Sequence, residues 1–118
     1  MNSRTHGILD YIVSALVAAS PWLFGFADEG AETWVPYLVG VTGFLYSAAT
    51  NYEFGMVRII PMKTHLALDI ASGVFLAASP WLFGFADRIF APHVIFGLFE
   101  IGAATMTRRA VASRVAGI

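Results

Sequence analysis

Four long apolar stretches, interrupted only by isolated polar residues, alternate with three short polar segments along this chain. Their lengths predict helices near 6–26, 34–51, 65–85 and 92–108. The first and third approach the ~20 residues that cross ~30 Å of hydrocarbon, and the second and fourth sit at the short end of that range. Start signals accompany the pattern. Thr5 and Thr64 stand where N-caps belong, Thr33 precedes Trp34, and Pro92 suits a first helical turn.

The pattern is also duplicated. The string AASPWLFGFAD runs from Ala18 to Asp28 and again, letter for letter, from Ala77 to Asp87. Upstream, Thr5–Asp10 (THGILD) matches Thr64–Asp69 (THLALD) at the same spacing. Each unit is therefore an apolar helix, the SPW string, a short loop and a second apolar helix. The expected architecture is all-α: an integral membrane four-helix bundle made of two same-orientation, two-helix repeats. Repeat one covers about 5–53 and repeat two about 64–109, within a single membrane domain, 1–118.

Composition changes the solvent rather than the elements. The chain is 118 residues long, 58% hydrophobic and 13% charged, about half the ~25% charge of an ordinary soluble domain. So small a domain cannot hide that much apolar surface in one globular core, and the mean hydropathy of +0.70 points to lipid. A net charge of -1 gives nucleic acid no electrostatic purchase. The absence of cysteine excludes disulfides, thiolate metal sites and cysteine nucleophiles. Asp10 inside the first apolar run, Pro21 after a cleavage-like AAS, and the recurrence of the segment mid-chain all argue against a cleaved signal peptide.

Basic residues set the orientation. Arg4, the Arg58/Lys63 loop and the Arg108, Arg109 and Arg114 tail fall on one side, against Arg88 alone on the other. The positive-inside rule then places both termini and the middle loop in the cytoplasm. Each repeat becomes an in–out–in hairpin, so the pseudo-two-fold axis lies along the membrane normal.

With that topology the SPW strings mark the outer ends of the first and third helices. Pro21 and Pro80 free the carbonyls of Val17 and Leu76, and Ser20 and Ser79 can bond back to the preceding turn or cap a new segment. Trp22 and Trp81 belong in the interfacial aromatic belt, Gly25 and Gly84 permit a turn, and Asp28 and Asp87 mark the return to water. The string reads as kink, anchor, turn and exit.

Candidate chemistry lies at the other end of the same helices. His6 and Asp10, and likewise His65 and Asp69, stand four residues apart on one helix face, with Ser14 and Ser72 roughly a turn deeper. Pinning the helix starts near the cytoplasmic headgroups is the favoured role. A proton relay is the sharper alternative. Nitrogen and oxygen donors suited to zinc are a weaker one, since it requires the two helices to converge, so no metal and no cofactor is assigned. Glu100 falls midway along the fourth stretch, opposite Gly43 or Phe44 in the repeat, with Tyr46, Ser47 and Thr42 as prospective partners. His93 is expected at the outer interface. Small residues, among them Gly40, Gly43, Gly73 and Gly97, permit close helix contact. No hydrolase, zincin or nucleotide-loop pattern occurs, and no enzyme is expected.

On HGILD…SPWLFGF and HLALD…SPWLFGF the chain resembles the SPW-repeat family of small bacterial integral membrane proteins. That resemblance implies a membrane location and four spans, with SPW in the first helix of each two-helix unit, and it supplies no catalytic residues. The expected role is an accessory or scaffold protein, homo-oligomeric or a subunit of a membrane complex, in contact with the bilayer. A small proton or cation conduit through His6, Asp10, His65, Asp69 and Glu100 is the alternative.

Overall fold

A computed structural model describes residues 2–50 and 54–115, without the side chains of Ser3 and of 111–115. Four helices follow in order: α1 (Ser3–Leu23), α2 (Ala31–Ala48), α3 (Met62–Leu82) and α4 (Ala91–Val115). A lone bridge between Thr50 and Ile60 aside, the described residues form helices and turns. Residues 51–53, at the expected end of repeat one, lie outside the described set, as does the side chain of Arg114.

The starts differ from expectation by about a turn. Asn2, not Thr5, caps α1: its Oδ1 accepts the Thr5 N–H at 2.8 Å. Pro61 precedes α3, which has no side-chain cap, so Thr64 lies inside the helix. Thr33 lies within α2, and its hydroxyl oxygen accepts the Asp28 N–H at 2.7 Å. Pro92 does occupy the first turn of α4. Polar residues that looked like boundaries are absorbed because a helix can run past the apolar stretch at no hydrogen-bonding cost.

By length and composition two helices, α1 and α3, are long and apolar enough to cross a membrane. Four spans were expected. Glu32, Trp34, Pro36 and Tyr37 weaken the first half of α2, and α4 carries Arg108 and Arg109 toward its end.

Both helices of the SPW strings continue through their proline. Ser20 Oγ donates to the Val17 carbonyl at 2.7 Å, and Ser79 Oγ to the Leu76 carbonyl at 2.7 Å. These are the acceptors that Pro21 and Pro80 leave without an amide partner. Gly25 and Gly84 then close the helices in the left-handed region, with φ of 73° and 74°. Their closure brings the Phe26 and Ala27 N–H groups to the Pro21 carbonyl, and the Phe85 and Ala86 N–H groups to that of Pro80. Nothing lies within 4 Å of a side chain added at either glycine, so the backbone angle, not space, is what calls for glycine.

Within each hairpin the helices approach closely at equivalent glycines. A Cβ on Gly40 would lie 2.5 Å from the Ser14 carbonyl oxygen, and one on Gly97 2.7 Å from the Ala77 Cβ. Between the hairpins, α2 faces α3 and α4 faces α1, leaving α1 and α3 on a diagonal. Val17, Val35, Val39 and Leu76 form the buried apolar core, with Val13, Ala31 and Phe96 against it.

Candidate functional site

Four side chains meet across the α1–α3 diagonal. His6 Nε2 lies 2.6 Å from Asp69 Oδ2 and 3.0 Å from Asp10 Oδ1. His65 Nε2 lies 2.6 Å from Asp10 Oδ2 and 3.2 Å from Asp69 Oδ2. The two imidazoles stand edge to face, with centroids 5.6 Å apart. Each histidine thus binds the aspartate of the other repeat more closely than its own. Both histidines and Asp69 are buried, and Asp10 retains a little exposure.

The outer nitrogen of each imidazole is held by a threonine that the sequence did not mark. Thr107 Oγ1 lies 2.9 Å from His6 Nδ1, and Thr50 Oγ1 lies 2.8 Å from His65 Nδ1. Each threonine spends its single hydroxyl proton on a carbonyl one turn back, that of Ala103 at 2.8 Å or of Tyr46 at 2.5 Å. Toward imidazole each hydroxyl is left as an acceptor, so Nδ1–H donates to it. The protonation inferred from this network fixes both rings with Nε2 aimed at the carboxylates.

Tyr46 and Ser72 extend the site. The Tyr46 hydroxyl donates to Asp69 Oδ1 and lies 3.4 Å from Ser72 Oγ. The Ser72 hydroxyl is 2.7 Å from the Leu68 carbonyl and 3.3 Å from Glu100 Oε2. Glu100 therefore joins the quartet through Ser72, a residue of its own hairpin. Of the partners expected for it, Tyr46 reaches it only through that serine. Thr42 is exposed, and the buried Ser47 hydroxyl has no hydrogen-bond partner among the described residues. His6, Asp10, Ser14, Tyr46, Asp69 and Glu100 line a cavity of about 20 Å³, room for one water or one monatomic ion. Ser14 and Ser72 both reach this region, though they are not repeat equivalents.

The other end of the bundle is organised around His93. Its ring packs against Phe26 at 5.4 Å and Phe85 at 4.8 Å between centroids, so both SPW corners close on one residue. Expected at an interface, His93 is instead buried, with Nε2–H donating to the Glu32 carbonyl at 2.9 Å. Arg88 Nη2 lies 2.6 Å from Glu32 Oε2, tying the loop between α3 and α4 to the start of α2. Asp28 Oδ1 accepts the Gly30 N–H at 2.7 Å and the Thr33 hydroxyl at 3.3 Å, which closes the turn ahead of α2. Trp22, Trp34 and Trp81 gather at this end, each against an aromatic neighbour: Tyr37, Phe83 and Phe90.

The family model described as SPW repeat domain matches residues 4–107, which includes every group of the quartet and both corners. No curated protein and no solved structure matches the chain.

Proposed function

The chain belongs to the SPW repeat family, and from that premise we propose a small multi-pass membrane protein whose work is structural. In this reading it has no enzymatic activity, and it self-associates or packs inside a larger assembly of a bacterial inner membrane. Membership in the family and the two crossing-length helices α1 and α3 support the membrane. So do large exposed apolar side chains on all four helices, among them Ile12, Leu45, Val74 and Ile95. With α2 and α4 as their companions, the helices form two parallel hairpins. Arg4, Arg58, Lys63, Arg108 and Arg109 would face the cytoplasm, and the tryptophans the outer interface.

One observation favours the scaffold over the conduit. The polar interior stops at Glu100, and Val17, Val35, Val39, Leu76 and Phe96 fill the bundle between it and His93. A path for protons or cations needs polar groups or water through that layer. The quartet instead serves as a charge-balanced clasp between the hairpins. Native mass spectrometry of protein released in mild detergents tests this reading, with a stable homo-oligomer or a co-purifying membrane partner expected. A monomer in every mild detergent tried would count decisively against it.

The hydrogen-bonded line Asp69–Tyr46–Ser72–Glu100 favours a second reading, a proton relay that opens outward in another conformation. Liposome flux separates the two: proton leak above that of empty vesicles, abolished in Asp69→Asn, would establish transport.

A further inference from the structure

The geometry points to a further capacity of the quartet: a mononuclear site for a divalent transition metal of the zinc class. Its ligands are His6 Nε2, His65 Nε2, and one carboxylate oxygen each from Asp10 and Asp69. These ligand atoms all lie within 4.8 Å of one another. Two imidazole nitrogens and two carboxylate oxygens form a donor set that suits zinc and its neighbours, whereas magnesium and calcium favour oxygen alone.

Outer contacts carry the inference further than proximity does. Ligating histidines characteristically donate their second ring N–H to a fixed acceptor, which sets the tautomer and the ring angle. Here Thr50 and Thr107 provide those acceptors, and each is itself immobilised by a bond to the helix carbonyl four residues back. With Nδ1–H so engaged, the proton that each Nε2 now shares with a carboxylate is the one an entering metal displaces to solvent, leaving a neutral ring with its Nε2 lone pair at the centre of the site. Tyr46, donating to the far oxygen of Asp69, orients that carboxylate in the same way.

Charge and size agree. Two carboxylates, two neutral imidazoles and one dication sum to zero, the condition for burying a metal among apolar helices. Metal–ligand bonds of ~2.0–2.1 Å at tetrahedral angles separate the donors by roughly 3.3 Å. The nitrogen–oxygen separations now run from 2.6 to 3.2 Å, so the two shortest must open by about 0.7 Å as a metal enters. The adjoining cavity leaves room for a bound water beside them. The inference holds whether the protein is a scaffold or a relay.

The test uses the full chain without a polyhistidine tag, purified in mild detergent and stripped with a chelator. It is dialysed separately against zinc, cobalt(II), magnesium and calcium, and its metal content is measured after desalting. Zinc or cobalt is expected at about one per chain, cobalt with the intense visible bands of a tetrahedral ion, and magnesium and calcium near zero. Thr50→Val with Thr107→Val leaves all four ligands in place and should weaken zinc binding about 10–100-fold. His93→Gln, at the opposite end, should change nothing. Wild-type protein that is helical and monodisperse yet keeps less than about a tenth of an equivalent of zinc overturns the site. Full uptake by a folded His6→Gln/His65→Gln variant overturns it equally. The wild-type stoichiometry and the threonine pair stand even if that double variant fails to fold.

Discussion

His6 Nε2 lies 2.6 Å from Asp69 Oδ2, closer than the 3.0 Å to Asp10, its neighbour one turn along the same helix. His65 makes the reciprocal choice of Asp10 over Asp69. Pairing is thus exchanged between the repeats, and neither hairpin satisfies its own ionisable groups as well alone.

Removing one member of so buried a set leaves uncompensated charge behind. Asp69→Asn is expected to cost about 3–5 kcal/mol, read as reduced thermal stability in detergent. Asp10→Asn should cost less, since Asp69 also accepts from Tyr46 and is the more buried carboxylate. Equal melting losses for the two variants would contradict that ordering.

The serine of each SPW string works only because the proline follows it. Ser20→Ala strands the buried Val17 carbonyl and should cost about 1–3 kcal/mol. Adding Pro21→Ala restores an amide that can reach that carbonyl, so the double variant is expected to be more stable than Ser20→Ala alone. Melting temperatures of the two single variants and the double would reveal this non-additivity.

Glycines differ by what stands beside them. Gly97→Ala drives a methyl into Gly73 and Ala77 and should destabilise by about 1–3 kcal/mol. Gly102→Ala meets nothing within 4 Å and should be neutral or stabilising by up to about 1 kcal/mol. Thermal denaturation of both variants checks the contrast, which helix propensity alone does not produce.

All three tryptophans occupy the SPW end, with Trp22 60% and Trp81 63% exposed. In vesicles their fluorescence should be quenched more strongly by lipids brominated near the headgroup than by lipids brominated at the chain terminus. The reverse order would place this end deep in the bilayer.

How much of this was legible in the sequence follows from what periodicity encodes. Spacing along one helix put His6 with Asp10 and His65 with Asp69, and the repeated letters announced equivalent corners. The exchange of partners was not legible, because a sequence carries no rotation of one helix about another. Thr50 and Thr107 were missed, since α2 and α4 share few letters. Yet a glycine precedes each threonine by the same interval, Gly40 and Gly97, and that spacing was the available signal. Glu100 was sought a partner across the repeat, when Ser72 of its own hairpin lay nearer. The caps were misplaced because Asn2 and Gly30, lying outside the apolar pattern, begin helices that the pattern starts later.

The register that sets Gly40 against Gly97 and Thr50 against Thr107 also sets Gly43 against Glu100 and Pro36 against His93. A dimer of the first repeat alone would bury two glycines and two prolines at those places, and a dimer of the second two glutamates and two histidines. Covalent linkage gives the chain one of each. It is built as a two-subunit assembly locked at fixed stoichiometry, in which one subunit carries the carboxyl near the quartet and, toward its opposite end, the imidazole that both corners share.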